Sequence, residues 1–329
     1  MDALIAPGLL PLRLGSAPAP DATAEAAGFV VAADDGTRIH FLDWDAGSGA
    51  TPERSSGAPG VLLLPGLAST ASSWAAVARR LAGSARVVAM DLRGHGLSDS
   101  PTEGYQSDVL AGDALAVADG AGLLPLAGAP AGGPPVIAGI GYGAIVAAWA
   151  ARALGERCAG LVLVDGGWED LAATTDATPE EWLASIEEPP EVLASMEAWL
   201  ADRAAFDPAS WDADQERAAR AQVVETAAGR VKLAVHPHAL AGSVRAMWAY
   251  DPTAVLSAVE APIVALAARD DDGSRAGMLA DVARARREAG RSPIHVASFP
   301  SRGHNLARHE PAAVAAAVLA VATGATMRR

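Results

Sequence analysis

Val136-Ile137-Ala138-Gly139-Ile140-Gly141-Tyr142-Gly143-Ala144 is the stretch that decides how this chain is read. Val136 to Gly139 is a short continuous apolar run, the pattern of a strand buried on both faces of a parallel sheet. Glycines at 139, 141 and 143 permit a sharp turn. The Ala-rich segment from Tyr142 to Leu154 then reads as a helix.

The same rhythm extends in both directions. Val61 to Leu64 is a second apolar run, closed by Pro65-Gly66, and Ala85 to Met90 and Gly160 to Asp165 are two more. Between them, 73–83 reads as a helix capped by Ser72 or Ser73, and 107–120 as an amphipathic helix that Ser107 can cap. This β-α-β-α-β order implies a parallel sheet with right-handed crossovers. Upstream, Phe29 to Ala32 and Thr37 to Trp44 flank Asp34-Asp35-Gly36, a β-hairpin signal. Residues 1–27, rich in Ala, Pro and Gly, are expected to form an extended or partly ordered arm, and Gly47 to Gly60 a loop.

From Trp168 to about Asp251 the pattern changes. Helical stretches at Glu180 to Ile186, Pro190 to Leu200 and Asp212 to Thr226 carry acidic residues on one side and apolar ones on the other, with no convincing buried strand. Trp168, Trp182, Trp199, Trp211 and Trp248 all fall here. The α/β rhythm returns with Pro262 to Ala267, a helix at 274–289, a strand at 294–298 and a closing helix from Pro311 to Thr323.

Composition narrows the function classes. The 329 residues carry a formal net charge of −14 and are 51% hydrophobic, enough for a large core. The acidic balance argues against nucleic acid or an anionic membrane as partner. The single cysteine, Cys158, excludes an intrachain disulfide and a thiolate metal cluster, and its context is that of a small buried hydrophobe. No run reaches membrane-spanning length, and Met1-Asp2-Ala3-Leu4 does not open a signal peptide. A cytoplasmic location is the expectation. No P-loop or Gly-x-Gly-x-x-Gly loop follows a strand, so no cofactor is expected.

Taken in order, these landmarks resemble the α/β-hydrolase fold with an inserted helical cap. Gly139-Ile140-Gly141-Tyr142-Gly143 is similar to that family's nucleophile elbow, G-x-S-x-G, with Gly141 where the serine stands. Leu64-Pro65-Gly66-Leu67 resembles its oxyanion loop, with Pro65 in place of the usual His. Asp91-Leu92-Arg93-Gly94-His95-Gly96-Leu97-Ser98 closely matches a family signature. The resemblance implies an eight-stranded, mostly parallel sheet formed by 28–165 and 252–329, and a cap over 166–251. It also implies backbone N–H groups of Leu67 and Tyr142 as oxyanion donors. Gly303-His304-Asn305 places His304 as base, and Ala268-Arg269-Asp270-Asp271-Asp272 places Asp271 as its acid, with Asp272, Asp270 and Asp165 as fallbacks. A His needs such an acceptor on its other ring nitrogen to hold a useful tautomer.

The remaining candidates have bland and functional readings. Trp168 and Trp248, at the two ends of the cap, line a substrate cavity or pack cap on core, and Tyr142 covers the cavity floor or packs. His95 reads as structural. His236 and His238 belong to a cap loop rather than a metal site, and His40 and His309 are expected to be exposed.

Glycine at 141 cannot form an acyl-enzyme. One reading is general-base catalysis by His304–Asp271 on a hydrophobic small molecule, with hydrolysis first and lyase, cyclase or cofactor-free oxygenase chemistry as alternatives. Another is a non-catalytic binder of a small apolar ligand. The third is an engineered Ser-to-Gly variant of an ordinary serine esterase.

Overall fold

The computed structural model describes residues 6–45, 58–124, 133–270 and 273–324. Among these residues the strands are β1 (Leu9–Pro11), β2 (Ala27–Ala32), β3 (Arg38–Asp43), β4 (Gly60–Leu64), β5 (Arg86–Met90), β6 (Val136–Ile140), β7 (Gly160–Val164), β8 (Val223–Glu225), β9 (Val231–Leu233), β10 (Ile263–Ala267) and β11 (Ile294–Ser298). Nine of them form one sheet in the order β1-β11-β10-β7-β6-β4-β5-β3-β2. Only β3 runs against its neighbours, β2 and β5. The apolar runs at β4, β6 and β7 are buried along their whole length, as expected of strands covered on both faces.

Helices cover the two faces. On one side are α2 (Ser107–Gly120), α3 (Tyr142–Leu154), α9 (Pro252–Ala258) and α10 (Ser274–Glu288). On the other are α1 (Ala75–Leu81), α11 (Leu306–His309) and α12 (Pro311–Ala322). Between β7 and β10 the chain forms α4 (Leu171–Thr174), α5 (Pro179–Ser185), α6 (Met196–Phe206), α7 (Ala213–Ala221) and α8 (Pro237–Trp248).

Four local expectations change. The sheet has a ninth strand because Leu9–Pro11 of the N-terminal arm pairs in parallel with β11. The inserted segment is not all helix: α7 stops at Ala221, and β8 and β9 form a hairpin that closes over Gly229 at φ 76°. Neither Ser72 nor Ser73 caps a long helix. Residues 71–74 form a 3-10 turn, in which the Ser73 hydroxyl donates to the Thr70 carbonyl at 2.8 Å. Ser107 opens α2 but does not cap it, since Gln106 holds the N-cap position.

The sheet brings one set of loops together. Strand order reverses between β4 and β6, and crevices at such switch points are where open α/β sheets bind ligands. The register is tight there: Leu64 lies beside Gly139, Ile140 beside Val164, and Val164 beside Leu266. The residues that follow these strands, Pro65, Gly141, Asp165 and Ala268, therefore leave the sheet at the same edge. Among the described residues, no helix is long and apolar enough to cross a membrane.

Candidate active site

The turn after β6 owes its shape to its glycines. Gly141 has φ 53° and ψ −119°, a conformation that L side chains rarely adopt. A Cβ on Gly143 would stand 2.3 Å from the carbonyl oxygens of both Leu64 and Pro65, so only glycine lets the start of α3 press against the loop after β4. That loop turns through Ala68 at φ 55°. Among the described residues, neither the Leu67 nor the Tyr142 N–H donates to a backbone carbonyl. Both residues line a cavity of about 700 Å³ together with Gly66, Ile140 and Gly141.

His304 enters the same cavity from the loop after β11. Its Nδ1 lies 2.6 Å from Asp165 Oδ2. An ionised carboxylate can only accept, so the Nδ1–H donates, and in the neutral ring the lone pair is then on Nε2. A Cβ on Gly141 would stand 3.1 Å from that Nε2, so this nitrogen faces the elbow. The side chain of His304 is 65% exposed and that of Asp165 1%.

Asp165 follows β7 directly and has φ 46°, a positive value rare outside glycine. Its Oδ1 accepts the Ala268 N–H at 2.8 Å and pairs with Arg275 Nη1 at 2.8 Å. Burial opposes charge on this carboxyl, but the His304 hydrogen bond and the Arg275 charge outweigh it and hold it below its ordinary value. Arg275 in turn binds Glu169 Oε1 through Nε and Nη2, at 2.8 and 2.6 Å. Its own burial disfavours the cation, and Glu169 and Asp165 reverse that and raise it.

The structure thus brings His304, Gly141, Leu67 and Tyr142 to one cavity and gives His304 to Asp165, the carboxylate held as a fallback. Asp271 and Asp272 lie outside the described residues. Asp270 accepts the Ala276 N–H at 2.8 Å and secures the start of α10. Arg275 and Glu169 had no local signal; only the fold places them beside Asp165.

The aromatic candidates divide differently. Trp168 is buried, with the Arg275 guanidinium 5.3 Å over its ring, and it does not reach the cavity. Trp248 meets Trp182 edge-on, with centroids 5.5 Å apart. Trp182 takes the cavity position instead, with Leu171, Met247 and Met278. Tyr142 lines the cavity, yet its side chain is buried and its ring stands 6.3 Å from that of His95.

The histidines expected at the surface are engaged. His40 Nδ1 lies 2.8 Å from Asp91 and His309 Nδ1 lies 2.8 Å from Asp207. In each case a carboxylate from a distant segment covers the ring, which local sequence does not reveal. His95 is buried against the Arg93 carbonyl, as a structural residue should be. The rings of His236 and His238 stand 5.5 Å apart, and His238 Nε2 meets the Ser100 hydroxyl at 2.9 Å. Cys158 is buried, and that burial pushes its thiol up to about 12.

Residues 61–317 match the family model described as "Alpha/beta hydrolase family". The chain belongs to this family. Solved structures of similar α/β hydrolases agree in fold. An E-2-(acetamidomethylene)succinate hydrolase superposes with a TM-score of 0.66 at 20% identity, covering 89% of this chain and 98% of its own. The thioesterase domain from the curacin biosynthetic pathway gives 0.65 at 20% identity, over 90% and 99%. An esterase from Rhodococcus sp. ECU1013 gives 0.60 at 20% identity, over 90% and 98%.

Proposed function

We propose that this α/β-hydrolase family member hydrolyses a hydrophobic small molecule without forming an acyl-enzyme, using His304 as general base. One observation carries the reading: the Nε2 of His304, whose Nδ1 is held by Asp165, faces an elbow residue that has no side chain. With no serine hydroxyl to deprotonate, Nε2 takes a proton from water and the oxygen attacks the substrate carbonyl. The N–H groups of Leu67 and Tyr142 receive the negative charge that develops on the carbonyl oxygen. Collapse expels the leaving group, which takes the proton back from His304. Leu171, Trp182, Met247 and Met278 supply an apolar wall that suits a hydrophobic acyl or leaving group. Asp165 takes the role that the resemblance gave first to Asp271. The segment 166–251 serves as the cap that closes this cavity, with no cofactor required.

The test is hydrolysis of short-chain p-nitrophenyl esters and thioesters by the wild-type chain and His304→Ala. Loss of His304 should lower kcat/KM by roughly 10²–10⁴-fold. Intact-protein mass spectrometry during turnover should show no acyl adduct. Unchanged turnover in the variant, or an acyl adduct on the wild-type chain, overturns the mechanism. Ligand binding with no turnover of any ester or thioester would point to a binder instead.

A further inference from the structure

Asp165 is not paired with His304 alone. Its Oδ1 is shared by the Ala268 N–H and Arg275 Nη1, each at 2.8 Å, leaving Oδ2 for His304 at 2.6 Å. The guanidinium is held from its other edge by Glu169, at 2.8 and 2.6 Å. Glu169 is fixed in turn, since its Oε2 accepts the Trp168 N–H at 3.2 Å. The Trp168 ring lies under the guanidinium at 5.3 Å. The side chains of Asp165, Glu169 and Arg275 are 1%, 15% and 25% exposed, so charges interact here more strongly than at an open surface.

We propose that Arg275 is a positioning residue that sets the basicity of the His304–Asp165 pair, with Glu169 as the counterweight that tempers it. This inference rests on His304 acting as a base. When Nε2 takes a proton, the imidazolium is favoured by Asp165 and Glu169 and opposed by Arg275. Two carboxylates without the arginine would keep the ring protonated further into the neutral range, and a protonated ring cannot accept another proton. In an enzyme with a serine the base acts once removed from substrate. With Gly141 it acts directly on water, so the fraction of free base sets the rate.

Among the described residues, the loops beside His304 carry other charged groups. Arg269 lines the cavity at the end of β10. Arg302, on the loop of His304 itself, is paired with Glu310 at 2.6 Å. Asp270 is turned to the Ala276 N–H. Arg275 is the cation that touches Asp165 directly, at 2.8 Å, so its removal is the one the pair should register.

The experiment is the pH profile of His304 carbethoxylation by diethyl pyrocarbonate, which acylates only the unprotonated ring, read by peptide mass spectrometry on the full chain. Arg275→Gln should move the profile to higher pH by about half to one unit, a three- to tenfold slower reaction on its rising limb. Arg275→Lys, which keeps the charge, should stay near wild type, and Glu169→Gln should move the profile to lower pH. An Arg275→Gln profile that stays in place or moves down overturns the proposal, as does an Arg275→Lys profile that moves as far as Arg275→Gln. If Arg275→Gln does not fold, the direction of the Glu169→Gln shift decides alone. None of these readings needs substrate turnover, so they stand apart from the fate of His304→Ala.

Discussion

Gly141 lets the elbow keep a backbone conformation that costs about 1–3 kcal/mol when a side chain must share it. Its neighbour His304 stands close enough that a Cβ at 141 would press on Nε2 at 3.1 Å. That ring is largely exposed and can yield by a few tenths of an ångström. Gly141→Ser should therefore fold, with stability lowered by about 1–2 kcal/mol in urea denaturation. The new hydroxyl should be labelled by a fluorophosphonate probe that leaves the wild-type chain untouched. A Gly141→Ser protein that resists the probe would mean that His304 cannot activate a hydroxyl at the elbow. At this scale the sequence was informative where the chemistry is local. The glycine triplet and the Gly-His pair each follow an apolar strand, and position alone suggests their use. The acid was not local in this sense. Two strand ends offer carboxylates to His304, and the meeting with Asp165 depends on how β7, β10 and β11 lie side by side.

The turn after β5 shows the same division between an element and its partners. Asp91 to Ser98 is recognisable as a motif, but its buried Arg93 works through residues far away in the chain. Nε and Nη2 bind the two oxygens of Asp113 on α2 at 2.8 and 2.7 Å, and Nη1 binds Asp35 in the β2–β3 turn at 2.6 Å. Arg93→Met should leave a buried carboxylate unpaired and cost about 3–5 kcal/mol in urea denaturation. The partially exposed Asp35 gives this tie a pH signature. Its hydrogen bond from Arg93 holds its carboxyl well below the usual carboxylate range. A depressed folded value contributes stability that is present above the unfolded value, near 4, and is lost as the pH falls through the folded one. Asp35→Asn should thus lower stability at pH 7, where the ionised pair contributes, and flatten the decline below about pH 4, so that the two proteins converge in acid, as read by urea denaturation followed by tryptophan fluorescence across pH. The β8–β9 hairpin was invisible in the sequence because three-residue strands carry no period to read. Val223 and Val231 are its buried residues, and they also fit the apolar side of a helix.

Across the whole molecule the architecture was legible because long apolar runs and helical stretches alternate in an order that few folds accept. What escaped was the contribution of the arm. Leu9–Pro11 is too short, and too rich in proline around it, to announce itself as a strand. Yet it completes the sheet beside β11, the strand whose following loop carries His304. The arm is tied down a second time by Arg79 of α1, which donates to the Ala22 and Ala24 carbonyls at 3.2 and 2.5 Å and reaches Asp214 on α7. Removing residues 1–12 should lower the stability of the core and weaken the seat of His304, seen as a lower melting temperature and lower turnover. The arm has a further consequence for how this protein keeps to itself. A three-residue border strand ending in proline offers almost no free ladder to a neighbour, whereas bare β11 would offer five residues of Ile294–Ser298. The arm is in that sense a guard against chain-to-chain pairing, and the shortened protein should self-associate into sheet-linked oligomers at concentrations where the intact chain does not.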